Sequence, residues 1–370
     1  MSRLHRALPL VFAFALCGCQ QNVAPAPPPA AAMAPGDLHS PWDSSPVAAT
    51  NVSYDCGPAV PVGPDITVTG ALDSGNKHLS EDVKAAVYSQ STDALLELTA
   101  RVVKAADTYR ATGSRAAAQC AVNLTASAAY AHAMTGYMAS PMAWLEQNTA
   151  LHSIAIAWLK VRNANAASPA DTELILAWFE DVTRIERDHW QHFECTNRTC
   201  YIKNNKGLGT AMAAAAVGIA ANDDSLFHWA VGEYHSAIGE INDRGMLHYD
   251  TRGRDAFKNN LRSAADLVQI AEFGEINGIP LYGYDNGAIH LLIHTVALGI
   301  VSPGPYRSAT KANQAAPSTV EPWEIAWASV YNRRFPDPII TSLLQQVGPG
   351  GSDMWGGEPW DPEGDSDPGL

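Results

Sequence analysis

Between Tyr201 and Gly207 the chain reads Tyr-Ile-Lys-Asn-Asn-Lys-Gly, which sets the amides of Asn204 and Asn205 between Lys203 and Lys206. Adjacent amides can clamp a carboxylate, and flanking ammonium groups can stabilise the negative charge that builds when such a group is enolised. Judged alone, the stretch reads equally as a polar loop with an ordinary helix start. A second polar run, His248-Tyr-Asp-Thr-Arg-Gly-Arg254, leads into a helix. Arg252 or Arg254 can fork onto a carboxylate through two points, and Tyr249 can both accept and donate a proton. His290 and His294 share a helix face at i and i+4, a spacing that can hold a metal. No acidic residue stands between them and Leu291-Leu-Ile293 is apolar, so a buried hydrogen-bonded histidine or a groove residue is the better reading. No cofactor motif is evident.

The elements that must position these groups are helical. Apolar residues recur at helical spacing in Ser80–Thr112, Arg115–Met134, Pro141–Asn163, Ala170–His192, Gly207–Ala221, Ser225–Asn242, Arg254–Asn277, Gly287–Val301 and Glu321–Tyr331. Gly, Pro, Asn and Asp punctuate the joins, and no period-two strand series appears. Successive helices with small, Ala-rich faces predict an all-α domain of paired helices, built as an incomplete (α/α) barrel or toroid. Such a shape leaves a groove across the ends of its inner helices. Trp144, Trp158, Trp178 and Trp229 fall at helical spacing and are expected in the core. His189 and His192 flank Trp190 where helix capping explains them.

Outside the helices, residues 1–18 read as a lipoprotein signal: Arg3, His5 and Arg6 precede an apolar run too short to span a bilayer, and Leu16-Cys-Gly-Cys19 looks like a lipobox with Cys19 as the lipid-modified residue. Residues 19–64 are rich in Pro and Ala and read as a tether, so folding is expected to begin near Asp65 and to run to residue 348. The acidic Gly/Pro tail, 349–370, reads as disordered despite Trp355 and Trp360. These features place the protein in the periplasm, lipid-anchored, with the outer membrane favoured and secretion the alternative. Losing Arg3 and Arg6 would take the formal net charge from −14 to −16. No Lys/Arg run remains, which argues against a nucleic-acid partner and confines any polyanion site to a local positive island. Export permits disulfides. Cys195 with Cys200, and Cys56 with Cys120, is one of three pairings open to the four remaining cysteines, whose spacings fit no common zinc pattern.

The order of segments resembles the mannuronate-type alginate lyases. Asp73-Ser-Gly-Asn-Lys-His-Leu-Ser-Glu-Asp82 looks like that family's substrate-facing lysine loop, and Trp144–Trp158 is similar to one of its interior helices. Ala177-Trp-Phe179 follows, and Lys203-Asn-Asn-Lys206 then stands where the family has Asn-Asn-His. Asp224–Tyr234, Gly245–Arg254 and Ile270–Leu281 keep the family's order downstream, so the resemblance runs from about Ala71 to Tyr331. It implies an α/α-barrel lyase that cuts a uronate polymer, mannuronan or a glucuronan-like chain, by β-elimination. Asn205 then becomes the carboxylate clamp, Asn204 a loop-holding or substrate group, and Lys77 a contact to a neighbouring uronate. Tyr282 and Tyr284 can stack on sugar faces, and His290 is a groove residue.

The departures bear on mechanism. Lys206 replaces the family's histidine, and the family's catalytic tyrosine falls near Asn259 or Asn260. No equivalent of its C-terminal arginine is found in Pro349–Asp353. Elimination needs the C6 carboxylate neutralised, a base for the C5 proton and an acid for the departing O4. Lys206 with Tyr249 is the expected acid/base pair, burial and Lys203 lowering the pKa of Lys206; His248 is a weaker candidate. The alternative is a uronate-polysaccharide-binding relative without catalysis.

Overall fold

The computed structural model describes residues 37–68, 81–314, 320–348 and 350–360, with side chains in the first helix from Thr92 onward. Eleven α-helices follow one another among them, joined by short 3-10 turns and a few isolated bridges, without strands. They are α1 (Glu81–Thr112), α2 (Arg115–Tyr130), α3 (Pro141–Val161), α4 (Pro169–Gln191), α5 (Asn205–Ala221), α6 (Asp224–Ile238), α7 (Ala256–Ile276), α8 (Ala288–Val301), α9 (Gly304–Thr310), α10 (Ala328–Arg334) and α11 (Pro338–Val347). The incomplete (α/α) toroid follows from how these helices pair.

Helix α5 is the hub, packed against α3, α4, α6 and α7. Its sequence explains the role. Alanines and glycines give small faces on all sides, and almost every residue from Gly207 to Ile219 is buried. A Cβ on Gly218 would sit 2.8 Å from the backbone nitrogen of Phe227 on α6, and one on Gly209 would sit 2.2 Å from Asn148 Oδ1 on α3. Only glycine allows these approaches.

Contacts fix the directions of the helices. Asn148 meets the start of α5 while Arg162 donates to the Ile219 carbonyl at its end, so α3 and α5 run parallel. Asp250, just before α7, accepts from the Asn205 N–H, and Asn277 and Asn222 hold neighbouring residues of one segment, so α7 shares that direction. The outer helices run back: Glu186 late in α4 meets Thr210 early in α5, and Phe227 early in α6 meets Gly218 late in α5. The N-termini of α3, α5 and α7 therefore open on one side, each presenting the positive end of its dipole.

Two segments depart from the sequence reading. Residues 37–68, expected mostly as tether, wrap the body: Trp42, Val60 and Val62 are buried, and His39 N–H and Leu38 N–H bond to the side chains of Asn277 and Asn222. Folding thus begins well before Asp65. The 350–360 segment, expected as disordered tail, is a strap lying against α1 and α3. The ammonium of Lys160 donates to the carbonyls of Gly356 and Glu358 (2.6 and 2.8 Å) and pairs with Asp107 on α1. Gly356 and Gly357, at φ +78° and +90°, pass where a Cβ would strike Ile156 and Asp107. The cysteines pair as Cys56–Cys120 and Cys195–Cys200.

Candidate active site

Asn204 is the N-cap of α5, its Oδ1 accepting from the Lys206 N–H at 3.0 Å, which satisfies one of the helix's free donors. With that oxygen so used, Asn204 holds the turn. Asn205 begins the helix proper. Its N–H donates to Asp250 Oδ1 at 3.1 Å, and its side chain lines a narrow crevice with Asn148 and His152 of α3, Arg262 and Asp266 of α7, and Met354 and Trp355 of the strap. Asn148 Nδ2 donates to the Lys206 carbonyl and to Thr210 Oγ1 (3.1 and 3.0 Å), locking α3 to the first turn of α5.

The ionisable groups around the crevice are displaced from their usual behaviour. Burial pushes Asp250 up to about 6 against hydrogen bonds from Ser263 and Asn205 and the charge of Lys206. Ser263 Oγ donates to its second oxygen at 2.6 Å, so both oxygens are engaged. Burial lowers the pKa of Lys206; Asp250 opposes the shift and Arg262 adds to it. Its Nζ lies 5.6 Å from the ring centroid of Tyr201. Burial also lowers His152, to about 4. The His152 Nε2–H donates to the Met354 carbonyl at 2.6 Å, and Trp355 stacks on the ring at 5.2 Å. Asp266 is 2% exposed, and its Oδ1 has no hydrogen-bond partner among the described residues.

The other sequence candidates lie elsewhere. Tyr249 packs edge-on against His248, 4.8 Å between centroids, and is not among the crevice residues; His248 in turn bonds to the Asn197 carbonyl of the Cys195–Cys200 loop. Arg252 donates to that same carbonyl at 3.3 Å, and Arg254 is exposed on a 3-10 turn, so both stand outside the crevice. Lys203 pairs with Glu240 at 3.0 Å; the positive neighbour of Lys206 is Arg262. Tyr282 is buried and donates to Glu272 at 2.8 Å, with Val268 and Glu272 about 200° and 240° around α7 from Asp266. It therefore lies behind that helix, with no face free for a sugar. His290 bonds to Tyr331 beside Tyr282, away from the crevice, and His294 bonds to Asp337, so the two histidines serve separate partners. Tyr284 is exposed and stacked on His235, outside the crevice. Asn260 clamps the loop, accepting from the Leu247 N–H and donating to the Ala256 carbonyl. Lys77 and Cys19 lie outside the described residues. Among those residues, no group of three or more His, Cys, Asp or Glu side chains is placed to hold a metal.

Three ionisable crevice residues escaped the sequence reading, His152, Arg262 and Asp266, as did Asp250 beside them. A signal existed for two. Arg262 and Asp266 stand at i and i+4 in a mostly buried helix, separated only by the small residues Ser263, Ala264 and Ala265, a charged pair where a core helix would carry none.

Comparison with known proteins follows the same lines. The alginate lyase family description matches residues 65–305. A polysaccharide lyase of Stenotrophomonas maltophilia is 27% identical over 310 residues, 81% of this chain and 88% of that protein. An alginate lyase of Cobetia marina is 24% identical over 84% of this chain and 82% of its own length. Among solved structures, alginate lyase A1-III of Sphingomonas species A1 superposes with a TM-score of 0.69 at 21% identity, covering 87% of this chain and 90% of that one. A histidine-to-alanine variant of A1-III has been solved with a tetrasaccharide, and its similarity is equal at 0.69.

Proposed function

This chain belongs to the alginate lyase family, and from that premise we propose that it is a polysaccharide lyase cleaving a uronate-containing polymer, mannuronan or a glucuronan-like chain, by β-elimination. The observation that carries the reading is that Asn205 and Arg262 line one crevice where the inner helices present their N-termini, with Lys206 next to Asn205 in the chain and within the field of Arg262. The amide of Asn205 and the guanidinium of Arg262 hold the C6 carboxylate and take up the charge of the enolate-like intermediate. Lys206, whose ammonium form is disfavoured by burial and by Arg262, is the base that removes the C5 proton. Tyr249 has no part in this scheme. Arg252 and Arg254 favour polymer approach from outside the crevice, and Lys77 contacts a neighbouring uronate.

The test is the growth of absorbance from the unsaturated product on alginate, polymannuronate and glucuronan. The expected result is turnover on at least one polymer, lowered by about 10²-fold or more in Asn205→Ala and Lys206→Met. Retained binding with no turnover on any of the three would leave a binding relative instead. We also propose that Cys19 carries a lipid that holds the domain at the periplasmic face of the outer membrane. Palmitate labelling that persists in Cys19→Ser would rule this out.

A further inference from the structure

Elimination from a glycosidic C4–O4 bond leaves a sugar alkoxide unless a proton reaches O4 as the bond breaks, so the crevice must supply a donor as well as a base. Most of the ionisable groups in it or beside it are committed. The oxygens of Asp250 accept from Asn205 and Ser263. The Nε2–H of His152 is held by the Met354 carbonyl. Tyr249 is outside the crevice and Asn260, near the family's tyrosine position, carries no acidic proton. Arg262 is a permanent cation and Lys206 takes the base role. One group remains. Asp266 lies one turn beyond Arg262 on the same face of α7, in the same crevice as Asn205, with Oδ1 sealed from solvent and without a hydrogen-bond partner among the described residues. Buried carboxyls without partners are rare because the desolvation goes uncompensated, and they gather where chemistry needs them.

Resting on the lyase reading above, we infer that Asp266 is the general acid that protonates the departing glycosidic oxygen. Lys206 removes the C5 proton and the C5–H electron pair becomes the C4=C5 double bond. The C4–O4 bond breaks, its electron pair stays on O4, and O4 takes the carboxyl proton of Asp266. The products are a 4,5-unsaturated uronate and a new reducing end, with Lys206 left as ammonium and Asp266 as carboxylate. Exchange with solvent resets both. Burial and the charge of Asp250 hold the Asp266 carboxyl well above the usual carboxylate range against the pull of Arg262, which favours the protonated form that the step requires.

A substrate whose leaving group needs no proton separates this role from a structural one. The parent and Asp266→Asn are compared on the polymer and on a 4-deoxy-4-fluoro uronoside, reading unsaturated product in both cases and fluoride in the second. The expected result is a loss of about 10²–10⁴-fold in kcat on the polymer with KM little changed, and fluoride release kept near the parental rate. Retained fluoride release also shows that the variant is folded. Equal losses on both substrates, or unimpaired polymer cleavage, overturn the inference. Should the variant not fold, the parent alone decides: its polymer turnover carries a solvent deuterium isotope effect that fluoride release lacks, and equal effects overturn the assignment. A parent inert toward both substrates ends the lyase reading and this inference with it, whereas an active parent with an unimpaired Asp266→Asn variant ends only the inference.

Discussion

His152 and Asp250 are displaced by burial in ways that oppose each other. The folded pKa of His152, about 4, lies below its ordinary 6.5, so its contribution is present above 6.5 and is lost as pH falls through 4. Asp250, raised from 3.8 to about 6, contributes fully below 3.8 and loses that contribution as pH rises through 6. At 1.36 kcal/mol per unit each is worth roughly 3 kcal/mol, with opposite slopes over nearly the same window. Removing one should expose the other. Relative to the parent, Asp250→Asn is expected to gain stability as pH rises from 4 to 6, and His152→Gln to lose it over that range. Chemical denaturation of the two variants against the parent checks this, and parallel curves for all three would contradict it. Neither residue was legible in the sequence, because a lone histidine in Leu151-His-Ser153 and an aspartate beside Tyr249 carry no spacing signal. Asn205 and Lys206 were legible because adjacent amides and ammonium groups at a helix start are chemically conspicuous.

The helices followed from periodicity, whereas the strap did not follow from composition. Residues 350–360 are glycine-, proline- and acid-rich, the signature of a chain with too little apolar surface to order itself. Its order comes from the groups it meets: backbone carbonyls held by a buried lysine, Trp355 on His152, and a bond from Trp355 Nε1 to the Trp323 carbonyl at 3.0 Å. The same physics holds the 37–68 segment, where Asp43 pairs with Arg162 and a few apolar side chains are buried. Lys160, 3% exposed, is thus the pin of the strap. Lys160→Met keeps the apolar stem but removes the ammonium from two carbonyls and Asp107. The expected cost is about 3–5 kcal/mol, as when one partner of a buried pair is removed. Amide exchange should show protection lost first in residues 350–360 and along the strap-facing side of α3. Protection lost uniformly across all helices would place Lys160 in the general core instead.

At the scale of the molecule, the proposed function asks an acidic body to admit a polyanion. The chain's formal net charge is −14, yet Lys206 and Arg262 line or adjoin the crevice and Arg252 and Arg254 stand outside it. These two fields have different ranges. Repulsion from the whole body acts over tens of ångströms and is screened once the Debye length falls to about 10 Å near 0.1 M salt. The proposed contacts between a uronate carboxylate and Asn205 or Arg262 would act at hydrogen-bond distance in a partly desolvated crevice and would be screened far less. Salt should therefore help before it hinders. kcat/KM on a uronate polymer is expected to rise as ionic strength climbs from about 0.01 to about 0.1 M, and to fall beyond that as local pairing weakens. The Arg252→Gln/Arg254→Gln double variant, with less positive charge near the crevice, should show a steeper rise. A parent whose kcat/KM falls monotonically from the lowest salt would mean that the positive island, and not the acidic body, governs approach.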